Sequence, residues 1–145
     1  MLKSKYLAAF FLCAFLTPAF AQSLAEKEKQ AHEDKAIAEA AESTFKKCKV
    51  NIKVTFDWST FNMAEIKKNN NSVSSYCEDA LSAINYICEH SEDGLKAVQD
   101  KIKSLTCKQS SPHILSLQNG EMVYGIDFKD SNIMDMVRKY LMDNL

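Results

Sequence analysis

The spacing of apolar residues changes along the chain, and each change predicts a new structural element. Residues 22–35 are mostly charged or small helix formers with Leu24 as the only large apolar residue, so we expect a solvated helical lead-in. Apolar residues recur at helical spacing over 37–48, which predicts that the second half of this helix docks on a core. Over 50–56 apolar and polar residues alternate, as in a strand with one buried face.

Two longer helices are predicted in the middle of the chain. A short helix is expected over 60–68, and one apolar stripe over 73–90 then marks a long helix. Apolar residues from Leu95 to Leu105 mark a second helix soon after it. Because so few residues separate the two, they should form an antiparallel hairpin.

The dipeptide Asn119–Gly120 is the clearest local signal. Both central positions of a type I′ turn need positive φ, which favours this pair. A two-residue turn sets Leu117 opposite Met122 and Leu115 opposite Tyr124, so that all four apolar residues share one face. The turn and the pattern therefore both predict a β-hairpin.

A last helix is expected over 133–141, where apolar residues again follow helical spacing. Together these elements predict a single α+β domain over 36–145, built in two layers. Its sheet is expected to be three-stranded and antiparallel, formed by the strand 50–56 and the hairpin. About four helices should cover one face of that sheet.

Residues 1–21 have the features of a Sec-type secretory signal peptide. A short cationic start precedes an apolar run, and Ala19–Phe20–Ala21 supplies the small residues that a signal peptidase requires. The run is too short to span a bilayer as a helix, which disfavours the alternative of an uncleaved anchor. We expect cleavage after Ala21 and a periplasmic or secreted protein with no membrane attachment afterwards.

Charge disfavours two classes of partner. The formal net charge is −1, and loss of Lys3 and Lys5 with the signal makes it more negative. Arg138 is the only arginine in the chain. Without clustered basic residues, binding to nucleic acid or to an anionic membrane surface is not expected.

Four cysteines remain after cleavage, an even number that predicts two disulfides in an exported protein. A zinc site or a redox pair is disfavoured because the chain has no Cys-x-x-Cys. Cys77 and Cys88 share one helix face about three turns apart, too far to bond to each other. The helical hairpin brings Cys77 level with Cys107, which leaves Cys48 to pair with Cys88.

Catalytic motifs are absent from the sequence. It contains no Gly-x-Ser-x-Gly, no His-Glu-x-x-His and no phosphate-binding loop, so neither a metal nor a cofactor is expected. One enzymatic alternative is a small hydrolase that uses His113 with a carboxylate such as Asp127. The hairpin register sets His113 opposite Ile126 on the core side, with Asp127 projecting to the other face, which argues against that pair.

Trp58, the only tryptophan, follows the first predicted strand. In one interpretation it covers an end of the core while Asp57 caps the next turn. In the other, Trp58 and Phe61 form an exposed aromatic anchor, because such residues dominate interface hot spots. The outer sheet face is a second candidate surface, with the residues Lys53, Thr55, Ser116, Gln118 and Glu121.

The sequence therefore favours a non-enzymatic binding or inhibitor-like module that acts on a protein partner. The alternatives are the small hydrolase described above and a structural envelope-associated protein, in which the charged lead-in would be an assembly helix. The oligomeric state and the identity of a partner are not predicted by these patterns.

The signal peptide gives the first testable prediction. Mass spectrometry of the exported protein should find Gln22, free or cyclised, as the first residue. Recovery of the intact Met1 terminus in the membrane fraction would contradict cleavage.

Overall fold

The computed structural model describes residues 23–145. The predicted signal peptide and its cleavage site lie outside these residues. Within them, the helices are α1 (Leu24–Cys48), α2 (Met63–Asn69), α3 (Val73–His90), α4 (Glu92–Lys101) and α5 (Ile133–Asn144). The strands are β1 (Lys53–Phe56), β2 (Ser104–Gln109), β3 (Ile114–Gln118) and β4 (Glu121–Ile126), and a 3₁₀ turn covers Trp58–Thr60.

The four strands form one mixed sheet in the order β1-β2-β4-β3. Strands β1, β2 and β4 are parallel, and only β3 runs antiparallel to its neighbour β4. The α+β class and the two disulfides are confirmed. The prediction of a three-stranded antiparallel sheet is wrong, because β2 was not recognised as a strand.

Strand β2 was missed because its first apolar residue fits two periods. Leu105 lies three residues after Ile102, which continues the helical spacing of α4. In the structure α4 ends at Lys101, and Ile102 already has extended backbone angles (φ −113°, ψ 112°). Leu105 and Cys107 are fully buried while the residues between and beside them are partly exposed, so the period here is two.

The predicted hairpin is present. Leu117 pairs with Met122 and Leu115 with Tyr124 across β3 and β4. Asn119 and Gly120 both have positive φ (52° and 85°), as a type I′ turn requires. Since β4 also pairs with β2, it lies between β2 and β3, and the hairpin thereby joins the parallel part of the sheet.

Helix α3 is the centre of the helical layer. It contacts α1, α4 and α5, and its buried face includes Ala80, Leu81 and Ile84. Opposite it, β2 and β4 contribute side chains that are fully excluded from solvent, among them Leu105 and Met122. The core therefore lies between α3 and the two central strands.

Two disulfides connect α3 to its neighbours. Cys48–Cys88 joins the end of α1 to the end of α3, with 5.3 Å between the α-carbons. Cys77–Cys107 joins α3 to β2, with 6.2 Å between the α-carbons. These are the pairs derived from the sequence, although Cys107 lies on a strand and not on the expected helix. The Cys77–Cys107 pair was still predicted correctly, because the chain that follows α4 runs back along α3 and brings Cys107 beside Cys77.

The predicted solvated lead-in is partly docked on the rest of the protein, most clearly at Glu33. Helix α1 begins at Leu24 and continues through the rest of this segment, and Glu33 is only 2% exposed. Its Oε2 accepts a hydrogen bond from the Ser74 backbone N–H (2.7 Å), and Lys29 Nζ lies 3.1 Å from its Oε1. The carboxylate thus occupies the N-terminus of α3, where free N–H groups and the helix dipole stabilise negative charge.

The surroundings of Glu33 favour its charged form. Burial alone would raise the pKa of the carboxyl group. Hydrogen bonds from Ser74, together with the hydrogen bond and positive charge of Lys29, outweigh burial, so the pKa lies below its ordinary value of 4.5. Because the pKa is lowered in the folded state, this contribution to stability is complete above the ordinary pKa and is lost as the pH falls through the folded one.

We therefore expect Glu33→Gln to lower the free energy of unfolding by about 1–3 kcal/mol at neutral pH, since it weakens a buried charge-assisted cap. Urea unfolding measures this difference. The difference in unfolding free energy between wild type and variant should narrow as the pH falls below 4.5, because the unfolded wild-type chain then binds a proton at Glu33 before the folded protein does.

Glu42→Gln is the matched control. Glu42 lies on the same helix and pairs with Lys46 (2.9 Å), but both side chains are largely exposed, so the expected change is below about 0.5 kcal/mol. Equal stability of the Glu33→Gln variant and wild type at neutral pH would contradict the assigned role.

Candidate functional site

Trp58 is half-buried and held in one orientation. It lies directly after β1, with ring centroids 4.9 Å from Phe56 and 5.2 Å from Phe61. Its indole Nε1–H donates a hydrogen bond to Asp34 Oδ1 of α1 at 3.1 Å. Two aromatic contacts and one hydrogen bond therefore fix the ring while part of it remains open to solvent.

The other two predicted anchor residues have internal roles. Phe61 is 7% exposed and packs towards Phe128 (6.5 Å between ring centroids), so it belongs to the core. Asp57 Oδ1 accepts a hydrogen bond from Ser59 Oγ (2.5 Å), and its carbonyl accepts one from the Thr60 N–H (3.1 Å). The structure brings the three residues together, but the prediction that Phe61 is exposed is wrong.

A groove of about 410 Å³ lies between α1 and β1. We call it the edge groove, and it is lined by Ala38, Ala41, Glu42, Phe45, Asn51, Ile52, Lys53 and Val54. Phe45 was expected to dock on the core with the rest of α1, but it is 48% exposed here. Ala38, Ala41 and Phe45 recur at i, i+3 and i+7, a signal for a second helix face that the sequence analysis missed.

The edge groove and Trp58 are neighbours. Asp34, which binds the Trp58 indole, precedes Ala38 by one turn on α1, and β1 leads from Val54 to the 3₁₀ turn that begins at Trp58. Trp58 therefore stands beyond one end of the groove, and Asn51 lines the other end. The two features form one continuous surface along the β1 side of the molecule.

The outer face of the sheet is mostly polar, but it also carries Val123 and Ile114, which is 44% exposed. Lys53, Thr55, Gln118 and Glu121 are exposed and Ser116 is partly exposed, in agreement with the alternation in the sequence. Thr106 Oγ1 donates a hydrogen bond to Glu121 Oε1 across two strands (3.0 Å). This face offers hydroxyl and charged groups but no aromatic side chain.

A polar cluster lies where β2 and β4 end. His113 Nδ1 is 2.7 Å from Asp130 Oδ2, not bonded to Asp127 as the hydrolase alternative supposed. Asp127 accepts hydrogen bonds from Ser111 Oγ (2.8 Å) and the Lys129 N–H (3.1 Å), which lower the pKa of its carboxyl group. The side chain of His113 is 39% exposed, so it lies at the rim of the core and is not packed inside it.

The cluster lacks the arrangement of a nucleophilic site. A cavity of about 430 Å³ beside it is lined by Ser111 and Asp127 but not by His113 or Asp130. Among residues 23–145, no hydroxyl group hydrogen-bonds to His113, because Ser111 Oγ is directed to Asp127. What the geometry does provide is a histidine close to a carboxylate, although Asp130 Oδ2 accepts no hydrogen bond from the described residues.

A second apolar groove, of about 440 Å³, lies between α3, α4 and the end of α5. Met142 on its rim is 71% exposed, and the Tyr86 ring stacks on His90 with 4.0 Å between centroids. The Arg138 guanidinium also lies over the Tyr86 ring, with 4.9 Å between its Cζ atom and the ring centroid. None of the described residues that line this groove belongs to a strand.

Metal binding and membrane crossing find no support in the described part of the chain. Residues 23–145 contain no group of three or more His, Cys, Asp or Glu side chains placed to hold a metal ion. None of the helices over the same residues is both long and apolar enough to cross a membrane.

Comparison with known proteins finds no family model, no curated protein and no solved structure that matches this chain.

Because the chain has a single tryptophan, its fluorescence reports directly on this surface. Asp34→Ala removes the acceptor of the indole N–H, so we expect red-shifted emission and stronger quenching by acrylamide, with a loss of stability of about 1 kcal/mol. Ser59→Ala is the control, since Ser59 bonds to Asp57 and not to the indole. Unchanged quenching in Asp34→Ala would show that this hydrogen bond does not hold the ring.

Proposed function

We propose that this protein is a small exported binding module that acts non-enzymatically, in the manner of an inhibitor, on a protein partner. The observation that carries the proposal is the fixed, half-exposed ring of Trp58 beside the edge groove. Tryptophan is among the residues most enriched at the energetic centres of interfaces. A large aromatic side chain next to an open apolar groove offers an anchor and a cleft on one surface.

Preorganisation supports this role. Immobilising a side chain on binding costs about 0.5–1.5 kcal/mol, and a ring already held by Asp34, Phe56 and Phe61 avoids much of that cost. The site can therefore direct more of its contact energy into affinity.

The proposed location is the periplasm or the extracellular medium. Two disulfides are typical of proteins that fold in oxidising compartments. The sequence of residues 1–21 predicts the route, a cleaved Sec-type signal. The near-neutral charge and the single arginine favour a protein partner over nucleic acid or an anionic membrane.

A hydrolase is the second candidate, and one observation favours it. His113 Nδ1 lies 2.7 Å from Asp130 Oδ2, which places a carboxylate beside a potential general base, although the contact lacks the geometry of a hydrogen bond. In that function His113 Nε2 would activate a water molecule directly, because no hydroxyl nucleophile among residues 23–145 bonds to it. The absence of His113 and Asp130 from the adjoining cavity makes this candidate the weaker one.

Partner capture on immobilised protein tests the proposal. Trp58→Ala should lower the affinity for the captured partner by about 2 kcal/mol or more, close to thirtyfold in Kd, because a central aromatic anchor is lost. Trp58→Phe, which keeps an aromatic ring, should retain part of the affinity, and both variants should keep the fold and both disulfides.

His113→Ala separates the two candidates. The binding module predicts full partner affinity in this variant, since His113 is not on the Trp58 surface. A partner that binds Trp58→Ala as tightly as wild type, or hydrolysis of the partner that disappears in His113→Ala, would overturn the proposal.

A further inference from the structure

Strand β1 is an open edge of the sheet. It pairs with β2 on one side and with no strand on the other. The Lys53 and Asp57 N–H groups donate to β2-side carbonyls, at 3.0 Å to Lys103 and 2.9 Å to Cys107. Because alternate residues of a strand face opposite neighbours, the backbone N–H and C=O groups of Val54 and Phe56 point away from β2. They form a short row of donors and acceptors without a partner strand.

The edge groove runs beside that row. Val54 belongs to both, and Ala38, Ala41 and Phe45 of α1 form the apolar wall that faces it. The small alanine side chains leave room between helix and strand, while the exposed Phe45 ring offers apolar surface at the far end. Hydrogen-bonding groups and an apolar cleft therefore lie side by side, which is the combination that strand-adding domains use.

We propose that this edge binds an extended segment of the partner protein as an additional strand of the sheet. The main chain of the segment pairs with Val54 and Phe56, and every second side chain, apolar, enters the edge groove. The alternate side chains are polar because they lie on the outer face next to Thr55, which is exposed. The inference rests on the proposed function and names its mode of recognition.

Charge defines one end of the segment. Lys53 is exposed, lines the edge groove and forms no ion pair within residues 23–145. At the opposite end, Asp34 is engaged by the Trp58 indole. Glu42, the other charged residue of the lining, is paired with Lys46 (2.9 Å), so Lys53 is the unpaired charge of the groove. An acidic side chain at the end of the segment beside Lys53 therefore complements the site.

The length of β1 favours a foreign segment over a second copy of this chain. Edge-to-edge pairing of two four-residue strands buries far less than the roughly 1,200 Å² that stable protein interfaces need. Strand addition of a flexible segment has no such requirement, because the groove supplies side-chain contacts along its length.

The probe is a displayed library of short linear peptides, selected on the disulfide-bonded protein. Selected peptides should alternate apolar and polar residues and carry an acidic residue at one end. Their binding should shift the backbone amide NMR signals of Val54 and Phe56 most strongly. N-methylation of the peptide amides that face β1 should abolish binding, whereas methylation of the opposite set should be tolerated.

Phe45→Glu should weaken the selected peptides about tenfold or more, because it places a charge in the apolar wall without disturbing a buried position. Met142→Glu makes the same change at an exposed position of the other apolar groove and should leave affinity unchanged.

Three results would overturn the inference: peptides that map to the Met142 groove, tolerance of both methylation patterns, or a β1-mediated dimer that excludes peptide. Each is distinct from failure of the proposed function. If Trp58→Ala abolishes partner capture while Phe45→Glu leaves the affinity unchanged, the binding function is supported and strand addition is contradicted. If Trp58→Ala leaves partner binding unchanged, the proposed function itself is contradicted.

Discussion

Covalent attachment of α3 at two points is the constraint on which the rest of the arrangement depends. Cys77 binds the helix to β2 in the centre of the sheet, and Cys88 binds its other end to the last residue of α1. In the chain-entropy model, loops of this length contribute about 3–4 kcal/mol each, less any strain. A helix fixed to both a central strand and a neighbouring helix determines where the helical layer lies on the sheet.

The same constraint explains the open surface along β1. Helix α1 is held to α3 at Cys48 by the disulfide and at Glu33 by the hydrogen bond to Ser74, so the two helices run parallel with well-separated anchor points.

The face of α1 that bears Ala38, Ala41 and Phe45 is turned towards β1, where no side chain of the described residues fills the space. The attachment of α1 to α3 thus leaves the edge groove beside the strand. Trp58, bonded to Asp34, stands beyond the end of the groove that lies away from Asn51. Stability and the candidate binding surface arise from one arrangement of helices.

Local signals in the sequence were sufficient wherever one short-range requirement decides the structure. Asn119–Gly120 demands positive φ, and the cysteines demand close α-carbons, so hairpin register and disulfide pairing followed from spacing. Leu105 was ambiguous because helical and strand periods both accept it, and only pairing with β1 and β4 decides between them. The roles of Glu33 and Asp130 could not be predicted from the sequence, because each contacts a residue distant in the chain. Glu33 contacts Ser74, and Asp130 contacts His113. Trp58 was identified as a candidate, but the exposure of Phe45 and the burial of Phe61 depend on how α1 and the 3₁₀ turn pack.

The central claim is that β1 presents a free backbone edge on the Trp58 surface. Amide hydrogen exchange of the free protein, read residue by residue by NMR, tests it most directly. The account predicts slow exchange at Lys53 and Asp57, whose N–H groups are bonded within the sheet, and fast exchange at Val54 and Phe56 between them. Equal protection of all these amides would show that the edge is already covered, and would contradict the account.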